Sequence, residues 1–209
     1  KYKPLYCSVD NDFFIKIKNK IKNDKYNQRK KIGIKDDDIC ILYIGRLTKR
    51  KNPEIILKAI KKINNKKLKV IFVGDGHLKK QMINFVEINN LKEQIFFTGF
   101  KTSSKICKYL NMSDIFILPS FYDPTPKVIN EASLFSLPII ATDGVGLTKD
   151  FIKNNINGYV IESDNLNQLV TSIEKLYDRD RRIRFGNLNY EKALEWSPEQ
   201  NIESIIKNI

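Results

Sequence analysis

Six short apolar runs constrain this chain more than any other feature. They are "ICILYIG" (39–45), "LKVIFVGDG" (68–76), "QIFFTGF" (94–100), "DIFILPS" (114–120), "PIIATD" (138–143) and "GYVIES" (158–163). Most close on Gly or a small polar residue. Being apolar at consecutive positions, they suit strands covered on both faces, as in a parallel sheet. Helical spacing fills the gaps. Ile55, Ile56, Ala59, Ile60 and Ile63 recur after the Asn52-Pro53 start signal. Leu78, Met82, Phe85 and Val86 form a second stripe, and Ile106, Tyr109 and Leu110 a third. Strand–helix alternation this regular predicts βαβ units. The expected fold is α/β: a doubly wound, parallel, six-stranded Rossmann-like sheet with helices on both faces.

After Gly158 the pattern turns helical, over 165–178, 180–195 and 198–208. These are extra C-terminal helices, and Trp196 is expected to pack where they meet the sheet, in an apolar seam with Leu194 and Ile202. Residues 1–38 are polar, with a lysine-rich helical stretch from about Asp12 to Lys31. They read as a linker and lead-in segment within one unit spanning 1–209.

Composition excludes several classes. With 209 residues, 42% of them apolar, one sizeable core can form. No stretch of about 18 apolar residues occurs, so no transmembrane helix is expected. The start lacks an apolar signal-peptide core. Cys7, Cys40 and Cys107 lack CxxC spacing and His77 is the single histidine, so no metal site is expected. A reduced, cytoplasmic setting follows. The net charge of +13 is mostly lysine spread along the chain, as in "KIKNKIKNDKYNQRKK". That reads as a solvated basic face rather than a specific nucleic-acid patch. It also suits an anionic ligand, or peripheral contact with an anionic membrane at the inner face.

In a doubly wound sheet, ligands bind outside the carboxyl ends of the strands. Gly45-Arg46, Gly74, Gly99-Phe100, Ser120 and Thr142-Asp143 all fall on that rim. Arg46 and Lys51 offer a fork and a point charge for phosphate oxygens; a solvated basic run is the plainer reading of Lys51. In "FYDPTPKVINEASLF", Pro126 suits a helix start, leaving the N–H groups of Lys127, Val128 and Ile129 facing an anion. Glu131, one turn on, can accept hydrogen bonds from a vicinal diol such as ribose. Asp123 lies where a sugar would project. The plainer readings are an exposed helix residue for Glu131 and a turn or cap for Asp123.

These motifs, in this order, resemble the C-terminal, donor-binding domain of family four glycosyltransferases, retaining enzymes of the two-domain GT-B fold. The resemblance runs from about Val9 to the end. "VDNDFF" is similar to the segment after the interdomain linker, and "YIGRLTKRKN" to the G-R-L-x-x-x-K motif. "FVGDG", "FFTGF", "DIFILPS", "EASLFSLPIIATD" and "NGY" follow in order, with Asp123 and Glu131 matching the ends of E-x7-E. The resemblance implies that Arg46 and Lys51 hold the donor diphosphate, Glu131 the ribose and Asp123 the hexose. It places Gly45, Gly74, Gly99, Phe100, Thr125, Pro126, Lys127 and Val128 against a nucleotide diphosphate sugar, UDP- or GDP-linked, with no other cofactor and no metal. Asp123 is one methylene shorter than the usual Glu, and "PTPK" replaces a glycine-rich segment. Asp150 stands where Glu is common. His77 does not match the family's active-site His, which belongs to an N-terminal acceptor-binding domain absent from this chain.

The implied function is the donor-binding half of a glycosyltransferase, inactive alone, in surface polysaccharide or glycolipid synthesis. The alternatives are a nucleotide-sugar epimerase of GT-B fold, or a non-enzymatic doubly wound nucleic-acid-binding domain.

Overall fold

The computed structural model describes residues 8–146 and 148–198, with 202 and 206. Most of the helix expected over 198–208, and Cys7, lie outside the described residues. Six parallel strands form one sheet: β1 Ile39–Ile44, β2 Leu68–Val73, β3 Ile95–Gly99, β4 Ile115–Leu118, β5 Ile139–Thr142 and β6 Gly158–Ile161. Their order is β3-β2-β1-β4-β5-β6. All six apolar runs became strands, and the doubly wound parallel sheet expected from them is the one observed.

The α-helices are α1 Asn11–Ile21, α2 Lys25–Lys30, α3 Glu54–Ile63, α4 Lys79–Ile88, α5 Ser103–Met112, α6 Lys127–Leu134, α7 Thr148–Phe151, α8 Leu166–Lys175 and α9 Arg179–Leu194. None among the described residues is long and apolar enough to cross a membrane.

Alternation along each strand sends side chains to opposite faces and makes two cores. On one face, Cys40, Leu42, Phe116 and Leu118 meet Phe14, Leu110, Ile129 and Ala132 of α1, α5 and α6. On the other, Ile41, Tyr43, Phe72 and Ile117 meet Ile56, Ile60, Met82 and Ile173 of α3, α4 and α8. Each fully buried aliphatic or aromatic side chain contributes about 1.5–3 kcal/mol relative to exposure.

The lead-in segment is bolted onto this sheet. Asp10 caps α1 by accepting from the Phe13 N–H at 2.9 Å. Arg29 is 2% exposed. Its guanidinium donates to the carbonyls of Met112 (2.8 Å) and Asp38 (3.2 Å) and to the Asp114 carboxylate. Lys25 adds a second ion pair to Asp114 at 2.9 Å, and the Cys40 N–H donates to the same carboxylate. Burial alone would raise the Asp114 pKa, but the two cations outweigh it and hold the carboxyl below its usual range.

Trp196 packs as expected: it is 5% exposed and meets Phe151 edge-on at 4.7 Å. The seam with Leu194 and Ile202 does not form, since these are 41% and 56% exposed. After α9 the Trp196 N–H donates back to the Ala193 carbonyl. That tight turn sends the indole inward and leaves its neighbours outside.

Candidate functional site

The strand order reverses between β1 and β4, so the chain leaves these two strands in opposite directions. A crevice opens at such a switch point, at the carboxyl ends of the strands. Two of its walls are the loop after β1, carrying Gly45, Arg46 and Lys51, and the loop after β4, carrying Asp123, Thr125 and Pro126.

The β1 loop is short and held at both ends. The Tyr43 hydroxyl donates to the Arg46 carbonyl at 2.8 Å, and the Leu47 N–H to the Asp75 carbonyl at 3.0 Å. Burial pushes the Tyr43 phenol up, and the Asp123 carboxylate adds to the shift. Lys49–Lys51 then form one 3₁₀ turn, closed by Asn52 in the left-handed conformation (φ 47°). Asn tolerates that region, and its amide fixes the turn by donating to Asp164. Helix α3 therefore starts at Glu54, with Pro53 as its cap, one position later than Pro at the first turn would give.

Gly74 closes the back of the rim. At φ 141°, an added Cβ would lie 1.9 Å from the Gly45 carbonyl oxygen. No other residue type fits there. The Gly74 N–H donates to the Gly99 carbonyl at 3.0 Å, and Phe100 beyond it is 76% exposed.

The β4 loop is strapped to its neighbours. The Phe121 N–H donates to the Arg50 carbonyl at 2.9 Å, and the Thr142 hydroxyl to the Ser120 carbonyl. The Asp123 N–H donates to the Gly144 carbonyl, and the Gly146 N–H to the Asp123 carbonyl, a parallel bridge. Sequence reasoning missed this strap. Its signal was the pair of glycines in "DGVG", which lets the two backbones approach. Tyr43 was missed too, although it is the one polar-tipped residue in β1.

Lys51 and Asp123 meet across the crevice, Nζ to Oδ2 at 2.5 Å, each side chain 13% exposed. Arg46 is exposed, and its guanidinium makes no hydrogen bond or ion pair with any described residue. The start of α6 differs from expectation. Pro126 is the cap rather than the first helical residue. The Lys127 N–H donates to Thr125 and the Ile129 N–H to Pro126, so two of the three expected anion donors are used in local turns. Val128 is half-buried, packed against the core, while Thr125 and Lys127 are exposed. Lys127 also borders a cavity of about 440 Å³ with Ser8, Asp10, Asn11 and Asp12.

Glu131 lies one turn into α6, half-buried, and its Oε2 has no hydrogen-bond partner. Burial pushes its carboxyl up to about 7, and the Lys127 charge offsets only part of that. A buried acceptor without a donor is costly, and a hydroxyl-bearing ligand would relieve it. His77 is exposed, and among the described residues no three His, Cys, Asp or Glu side chains converge.

Doubly wound domains bind their ligands at the switch point, and there this domain carries basic groups, a buried carboxylate and glycine-lined turns. Residues 24–192 match the family described as Glycosyl transferases group 1, and the chain belongs to that family. It is 30% identical over 166 residues to the amylovoran biosynthesis glycosyltransferase AmsD of Erwinia amylovora, covering 76% of this chain and 44% of that protein. It is 29% identical over 156 residues to an Escherichia coli UDP-Gal:alpha-D-GlcNAc-diphosphoundecaprenol alpha-1,3-galactosyltransferase, covering 72% and 40%. The chain thus spans less than half the length of these relatives. The fold superposes on Anabaena Alr3699/HepE in complex with UDP, with a TM-score of 0.84, 18% identity, and coverage of 99% of this chain and 56% of that one. It also matches the C-terminal domain of LpcC from Francisella tularensis (TM-score 0.74, 19% identity), covering 93% and 97%.

Proposed function

We propose that this chain is the donor-binding half of a retaining glycosyltransferase that moves a sugar from a nucleoside-diphosphate sugar to an acceptor. The observation that carries the reading is the β1/β4 reversal, at which Lys51 of the β1 loop pairs with Asp123 of the β4 loop while the Arg46 guanidinium, on the same β1 loop, has no partner among the described residues. Arg46 and Lys51 are assigned to the diphosphate, Glu131 to the ribose and Asp123 to the hexose. Gly45, Gly74, Gly99 and Phe100 are assigned to the donor as well; the Cβ side of Gly99 is open, whereas those of Gly45 and Gly74 face the Tyr43 hydroxyl and the Gly45 carbonyl. The unsatisfied Glu131 Oε2 suits a ribose diol. UDP is the favoured nucleotide, because UDP accompanies the superposed Anabaena protein and a UDP-sugar is named for the E. coli relative.

In transfer, the bond from the anomeric carbon to the diphosphate breaks, and negative charge grows on the leaving oxygens. Arg46 and Lys51 would stabilise that charge without a divalent cation, and they stabilise the transition state more than the ground state because the charge is still developing. The acceptor and the remaining catalytic groups are assigned to an N-terminal domain beyond this chain. Polysaccharide or lipid-linked glycan assembly is the setting proposed, because the relatives named above work there. The cationic surface would favour a cytoplasmic protein touching an anionic membrane.

A thermal-shift screen against UDP, GDP, ADP and their sugars tests the reading. Stabilisation by one nucleotide and its sugar, lost in Arg46→Ala, is expected. Stabilisation by oligonucleotides alone, steeply salt-dependent, would favour the nucleic-acid alternative.

A further inference from the structure

Lys51 is assigned to a diphosphate, yet it already has an anionic partner within the chain. That partner is Asp123, which reaches it from the opposite wall of the crevice. The contact is well supported on both sides. Lys51 sits on a 3₁₀ turn locked by Asn52, and Asp123 is pinned through its own N–H and carbonyl to Gly144 and Gly146. Arg46, five residues before Lys51, stays exposed and unpaired among the described residues.

We propose that Asp123 is an internal stand-in for the donor diphosphate: it neutralises Lys51 in the empty site, yields it to an incoming donor, and takes it back once the sugar has left. The inference rests on the donor-site reading above and adds regulation of the same residues. A mostly buried ammonium needs a counter-charge, and among the described residues Asp123 alone supplies one. A diphosphate brings more charge and more acceptor oxygens, so it competes for the lysine. It then leaves Asp123 as a buried carboxylate beside an anion, which is unfavourable. A hexose on the diphosphate relieves this, because its hydroxyls donate to the displaced carboxylate. A free nucleoside diphosphate has no such hydroxyls. The pair therefore disfavours the spent nucleotide relative to the sugar donor and promotes its release. From sequence alone Asp123 is expected to touch only the sugar-bearing donor; the ion pair gives it an effect on the free nucleotide as well.

The test is calorimetric titration of UDP, and of inorganic pyrophosphate, into the 209-residue chain at one pH and ionic strength. Asp123→Asn, Asp123→Ser, Lys51→Ala and Lys51→Ala/Asp123→Asn are compared, each with a thermal melt to establish folding. UDP and pyrophosphate are expected to bind about tenfold more tightly to Asp123→Asn and Asp123→Ser than to the wild type. The gain should be several-fold smaller when Lys51→Ala is the background, where only the repulsion between Asp123 and the bound anion remains. Unchanged or weaker UDP binding by the folded Asp123 variants, with Arg46→Ala still removing most of the wild-type heat, overturns the stand-in and leaves the donor site standing. A gain of undiminished size without Lys51 also overturns it, since that is general repulsion between anions and not competition for the lysine. UDP binding that is absent throughout, or indifferent to Arg46, overturns both the stand-in and the donor site.

Discussion

The Tyr43 hydroxyl donates to the Arg46 carbonyl at 2.8 Å, bridging Gly45, whose added Cβ would lie 2.9 Å from that same hydroxyl oxygen. A residue buried inside the sheet thereby sets the path of the loop that presents Arg46. Tyr43→Phe deletes this donor and leaves the Arg46 carbonyl with the Thr48 N–H, at 3.0 Å, alone. A loss of about 0.5–1.5 kcal/mol in stability is expected, with weaker UDP binding. Denaturant melts and UDP titration check both; a variant equal to the wild type in each would mean that the loop holds itself.

Glu131 makes stability and binding depend on pH. Its folded-state pKa is pushed up to about 7, first by burial. Between the ordinary glutamate range and that value, the folded protein keeps a proton the unfolded chain has lost, so stability falls as pH rises across that window. The penalty reaches about 3 kcal/mol at most on the alkaline side. Glu131→Gln should remove it, flattening the fall between about pH 5 and pH 8. Ribose hydroxyls favour the ionised carboxylate, so UDP binding should strengthen over the same window and release a proton. A binding enthalpy that varies with the buffer's ionisation enthalpy is the expected signature. In Glu131→Gln that buffer dependence should shrink to what the UDP phosphate itself contributes, and UDP should bind more weakly by about 1.5–3 kcal/mol above the window, the worth of a charge-assisted hydrogen bond.

Trp196 closes one end of the core against Phe151, ring centroids 4.7 Å apart. Trp196→Ala is expected to cost about 3–5 kcal/mol, since a large cavity opens beside a fully buried ring. The denaturation midpoint should fall without loss of the helical signal. An unchanged midpoint would place the indole outside the core.

The chain should bind nucleotide without transferring sugar. UDP affinity on the order of tens of micromolar to millimolar is expected, because this domain by itself cannot enclose the ligand. Arg46→Ala should abolish most of the heat of binding, and raised salt should weaken it only moderately. Steady turnover by these 209 residues with an added acceptor would show that the acceptor groups lie within this chain.

The pattern of apolar runs determined the architecture without help. Runs such as "ICILYI" and "VIFV" cannot be half-exposed, so they had to become central strands, and helical stripes between them had to cover both faces. The rim residues were legible for the same reason: the end of a buried strand is fixed once the strand is. Tertiary structure decided what those residues do to one another. Lys51 and Asp123 lie 72 positions apart, and their meeting depends on the β1/β4 reversal and on the Gly144–Gly146 strap. Whether Lys127 and Ile129 keep free amides was likewise settled by local turns that no spacing rule foretells. Periodicity records which face a side chain takes, because burial is a property of each position. Pairing across loops depends on where two separate backbones end up, and that information exists only after the chain has folded.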